Sequence, residues 1–102
     1  MKNTYPIKRT TRSADGTGFQ ADLNIDYKTL VEICGEPDQS NDGDGKVRVE
    51  WKIEVANEVV TIYDWKETKP VEEVREWHMG AKRKELAIIL KGYIERTAEI
   101  KN

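Results

Sequence analysis

A chain of 102 residues makes one compact domain and is too short for two. Hydrophobic residues make up 37%, charged residues 35%, and the net charge is −2. That balance excludes a disordered polyelectrolyte and lacks the basic excess of a nucleic-acid binder, so no direct nucleic-acid binding is expected.

The first stretch, residues 1–16, is polar and basic, and we read it as a flexible arm ahead of a single domain over 17–102. It shows no apolar run of a secretory signal. Phe19, Ala21, Leu23 and Ile25 alternate with polar residues, which predicts a half-buried strand with those four on its apolar face. Asp26 then reads as a helix N-cap. Tyr27, Leu30, Val31 and Cys34 follow at helical spacing, and Gly35 and Pro37 end the helix. The single cysteine allows no internal disulfide and points to a reducing compartment. Its place on the apolar stripe predicts a structural thiol.

Residues 38–46 read as a loop. Its aspartates lack the spacing and closing glutamate of a calcium-binding EF-hand. Val47, Val49, Trp51, Ile53 and Val55 alternate with charged residues and form the clearest strand. A short turn, Ala56-Asn57-Glu58, leads to its hairpin partner over Val59 to Trp65. Trp51, at the centre of the apolar face, is expected in the core. A shorter strand is expected from Val74 to Met79, with Trp77 and Met79 on one side, His78 on the other, and Gly80 as its end. The last element is a helix from about Ala81 to Arg96, with Leu86, Ile89, Leu90, Tyr93 and Ile94 as its apolar stripe. The expected fold is α+β: a small antiparallel sheet of three to four strands with two helices packed on one face. No stretch is apolar enough to span a membrane.

Charge is unevenly spread. Residues 1–13 carry four bases and no acid, residues 36–76 twelve acids against six bases, and residues 81–102 six bases against three acids. Either these lobes attract one another, or they present a bipolar surface to a charged partner.

The chain has no Gly-rich phosphate loop and no nucleophile elbow. One His and one Cys do not make an ordinary zinc site. Hence no catalytic residue, metal or cofactor is assigned, and no enzyme activity is expected. Two neighbouring segments stand out, Ile62-Tyr63-Asp64-Trp65-Lys66 and Glu76-Trp77-His78-Met79-Gly80. Aromatic faces stack on bases, lysine pairs with phosphate, and Asp or His bonds a base or sugar edge. The candidate ligand-binding residues are therefore Tyr63, Asp64, Trp65, Lys66, Trp77, His78 and Gly80. The competing reading makes Trp65 and Trp77 core residues and His78 an ordinary surface residue. Because Tyr63 and Trp65 alternate with Asp64 and Lys66, the site is expected at the strand's end, where Lys66 can turn.

Several motifs occur in a familiar order: Gly35-Glu36-Pro37, Glu-Trp-x-Ile-Glu over 50–54, Thr-Ile-Tyr-Asp-Trp-Lys over 61–66, and Trp-His-x-Gly over 77–80. Thr17-Gly18-Phe19-Gln20 precedes them. Together they resemble a widespread set of small accessory proteins of tailed phages. The resemblance implies a phage accessory protein in the cytoplasm of the bacterial host, with no known reaction. Such proteins commonly counter host defence by binding. The expected function is sequestration of a small nucleotide-type immune signal. The alternative is a protein-binding inhibitor of a host nuclease or effector, similar to an anti-CRISPR protein, with the acidic 36–58 segment imitating nucleic acid. A thin core and three tryptophans also suggest a homodimer.

Overall fold

The structure is a computed structural model and describes residues 7–39 and 45–101. Residues 1–6 of the expected basic arm and 40–44 of the aspartate-rich loop lie outside the described residues. The order of elements is β1 (Ile7–Arg9), β2 (Gly18–Asn24), α1 (Tyr27–Cys34), β3 (Asp38–Gln39), β4 (Val49–Val55), β5 (Glu58–Tyr63), a 3-10 turn (Val71–Glu73), β6 (Glu76–Ala81) and α2 (Lys84–Lys101). The fold is α+β, as expected from the sequence. Among the described residues the sheet has six strands rather than three or four, in the order β1-β4-β5-β6-β2, with β3 also on β4. The two unexpected strands are three and two residues long, too short to show a period of two.

The hairpin forms as its alternation requires. Trp51 pairs with Ile62 and Ile53 with Val60, all antiparallel. Its turn, Ala56-Asn57, has φ of 52° and 72°. Positive φ at both central residues matches the right-handed twist of the flanking strands. Side chains from one face of β4, β5 and β6 meet the helices. Trp51, Val55, Val60, Ile62, Trp77 and Met79 are fully buried there with Leu30 of α1 and Leu86, Leu90 and Ile94 of α2. Trp51 and Trp77 pack edge to face, centroids 5.3 Å apart. Each indole N–H donates to a backbone carbonyl, Trp51 to Gly35 at 2.7 Å and Trp77 to Ile25 at 2.9 Å. Both polar tips are thus satisfied inside the core.

Helix α1 starts at Asp26, whose carboxylate accepts the Thr29 N–H at 3.1 Å, an N-cap bond. The Thr29 hydroxyl holds the Asp26 carboxyl below its usual range. The helix stops at Gly35, whose φ of 87° is the left-handed region. Arg9 of β1 donates to the last helical carbonyl, Cys34 O, at 2.9 Å and to Glu36 O, just past the helix, at 2.7 Å.

Candidate functional site

One side of the sheet is covered by helices, so the site has to be built from the other. Parity decides which side chains appear there. In β6, Trp77, Met79 and Ala81 point inward and are fully buried, so His78 and Gly80 point outward. In β5, Tyr63 pairs with His78 and Thr61 with Gly80. In β2 the register shifts between Phe19 and Ala21. The bulge inserts one residue and reverses the face of everything before it. Leu23 stays inside, while Phe19 is turned outward and is 53% exposed. This corrects the sequence expectation that Phe19 shares the apolar face of Leu23.

Gly80 is not the end of a strand, as the sequence suggested, but lies inside β6. A Cβ there would come within 2.7 Å of Thr61 Oγ1. Its hydrogen leaves room for neighbouring rings. The His78 centroid lies 4.7 Å from Phe19, 5.6 Å from Tyr63 and 6.1 Å from Trp65. The Trp65 and His78 planes are only 22° apart. Four rings therefore form a band across β5, β6 and β2 with two exposed members, Phe19 and Trp65.

Asp64 explains how Trp65 comes to be outside. Its fully buried carboxylate accepts the Arg48 N–H at 2.8 Å and the Val49 N–H at 3.1 Å, and pairs with Arg48 Nε at 2.8 Å. That staple fixes the chain as it leaves β5. Lys66 then takes φ of 55° and donates its N–H to Lys46 O at 2.7 Å. The two lysines are drawn to one spot. Lys66 Nζ lies 5.6 Å and Lys46 Nζ 5.8 Å from the Trp65 ring centroid, both within cation–π range. Burial, then the neighbouring Glu50 charge, raises the Tyr63 hydroxyl pKa.

Of the seven residues expected at a site, Tyr63, Trp65, Lys66 and His78 come together on this face, and Gly80 is its floor. Trp77 and Asp64 do not reach it. Trp77 is a core residue and Asp64 an internal staple. Sequence reasoning missed Phe19, hidden by the bulge, and Lys46, brought in by a backbone bond from 20 residues away. Burial pushes the half-buried Cys34 thiol up to about 11, away from nucleophilic use.

A second depression, about 400 Å³, is lined by Lys8, Arg9, Thr10, Thr11, Asp38 and Glu54. Its cations are engaged: Lys8 Nζ lies 3.9 Å from Glu54 and Arg9 Nη2 3.5 Å from Asp38. Among the described residues no group of His, Cys, Asp and Glu could hold a metal ion. No described helix is long and apolar enough to cross a membrane. No protein-family model, no curated protein and no solved structure matches the chain, so its function has to be argued from this face.

Proposed function

We propose that the protein is a binding module that sequesters a small nucleotide-type ligand on the aromatic face, without turning it over. The observation that carries this reading is the exposed ring band with two lysines at Trp65. An exposed ring stacks on any base, and stacking is worth about 1–3 kcal/mol per base. Lysine supplies a point charge for phosphate. Neither lysine is paired with a carboxylate, and the His78 side chain makes no hydrogen bond among the described residues. Their bonding capacity is free for a ligand. The resemblance to phage accessory proteins supplies the biological setting of this proposal: a protein acting in the host cytoplasm against a nucleotide immune signal.

The alternative, inhibition of a host nuclease by a nucleic-acid-like acidic surface, has weaker support. Within the acidic 36–58 segment, Asp38, Glu54 and Glu58 are paired with Arg9, Arg12 and Arg83. A mimic needs its charges unpaired. A homodimer remains part of the proposal, since Ile88 and Ile100 of α2 are exposed apolar residues that a second copy would cover while leaving the aromatic face open. A scattering mass of 11.8 kDa at every concentration would reject it.

Calorimetry against cyclic dinucleotides and ADP-ribose-type compounds tests the reading. We expect binding, and Lys66→Ala and His78→Ala each weakening it about ten- to a hundredfold with unchanged melting. Absence of binding to the whole panel, alongside inhibition of a host nuclease, would transfer the function to the alternative.

A further inference from the structure

Resting on the reading of this face as a nucleotide site, the geometry points to a base class: we propose that it selects guanine, with Asp22 as the selecting group. Asp22 is the next outward residue of β2 after Phe19 and pairs in register with His78. It is exposed, and its side chain makes no hydrogen bond or ion pair among the described residues. The face therefore has two chemically opposite ends. Lys46 and Lys66 stand at Trp65, where the chain leaves β5. Asp22 stands two strands away, about 10 Å at the usual strand spacing. The ring of His78 lies between, and the Phe19 ring packs against it from beside Asp22 on β2.

That polarity orients a nucleotide. Phosphate is drawn to the lysines and repelled by the carboxylate, so the base lies over the rings with its outer edge toward Asp22. An ionised carboxylate offers only acceptors. Guanine presents a ring N–H and an amino group side by side, two donors that one carboxylate takes together. Adenine and cytosine present an amino group beside a ring nitrogen acceptor, which opposes a carboxylate oxygen. Uracil flanks its single N–H with two carbonyls. Hypoxanthine keeps the ring N–H and loses the amino group. A mismatched edge leaves the carboxylate facing an acceptor, and sites that bond a substrate N–H discriminate strongly for that reason.

The experiment is calorimetry on the full chain with cyclic di-GMP against cyclic di-AMP, and with GDP against ADP and IDP. We expect the guanine member of each set to bind about tenfold or more tightly, with IDP between GDP and ADP. Asp22→Asn is expected to bring each ratio within about threefold while leaving the melting curve unchanged. Trp65→Ala should weaken every ligand alike. Equal binding of guanine and adenine compounds, or a preference that survives Asp22→Asn, overturns the selection and leaves the nucleotide site standing. If no compound binds, the nucleotide reading itself falls, and the selection falls with it.

Discussion

The three tryptophans in this chain meet two fates, and their place on the strands decides between them. Trp51 and Trp77 sit at inward positions of β4 and β6 and are fully buried, whereas Trp65 lies just past β5 and is 39% exposed. Replacing Trp51 leaves a large cavity and strands the Gly35 carbonyl that it satisfies. Trp51→Ala is therefore expected to cost about 3–5 kcal/mol in urea unfolding. Trp65→Ala empties no core and should stay within about 0.5 kcal/mol of wild type. Similar losses for the two would show that the aromatic band is structural, not a ligand surface. The burial of Trp51 was legible, because alternation places it at the centre of the apolar face formed by Val47, Val49, Trp51, Ile53 and Val55. The fate of Trp77 was only half legible. Its side of the strand follows from parity, but which side the helices cover does not.

At the scale of elements, the legible parts are those long enough to repeat. Helix α1, with its cap at Asp26 and stop at Gly35, falls where sequence spacing puts it. The β4–β5 hairpin forms around the turn that the sequence marks. The bulge in β2 leaves no trace in composition, and it is what moves Phe19 to the outward, aromatic face. Strand β1 was illegible for a different reason: its three residues read as part of a basic arm. Beyond its pairing with β4, the strand is tied to the end of α1 by Arg9. The bond to Cys34 O complements the helix C-terminus and the bond to Glu36 O holds the chain just past it, while the 3.5 Å contact with exposed Asp38 is of the kind that contributes little. Arg9→Ala should lower stability by about 1 kcal/mol, and Asp38→Asn should change it by a few tenths at most. Hydrogen exchange should report faster exchange at Ile7–Arg9 and at the end of α1 in the first variant only. Equal effects of the two would assign the tie to the ion pair.

Across the whole molecule, the uneven charge of the sequence resolves into internal pairs. Lys8, Arg9 and Arg12, from the basic start, reach Glu54 and Asp38 of the acidic middle, and Arg83 from the basic end reaches Glu58. The charge blocks were legible and their pairing was not, because it depends on β1 lying beside β4. Glu54 is the centre of this arrangement. It is only 8% exposed, and its carboxylate accepts from Arg12 Nη1 at 3.1 Å and Thr10 Oγ1 at 3.0 Å. Those two bonds hold its carboxyl below the usual range. The unfolded chain has no such partners, so it takes up a proton at higher pH than the folded chain does. Glu54 therefore adds stability that is complete above the ordinary carboxylate range and is lost as pH falls from there through its lowered folded-state value. The Glu54→Gln variant should be less stable than wild type at about pH 7 and should lose less on going to about pH 3.5, below the ordinary pKa of a glutamate. Loosening should begin at the segment that Glu54 holds, so exchange at residues 7–12 should rise with acid before the β4–β5 hairpin opens. Urea melts across that interval measure the slope, and exchange by mass spectrometry locates it. Identical slopes for wild type and Glu54→Gln would mean that another carboxylate, with Asp26 the first to test, sets the acid limit of the fold.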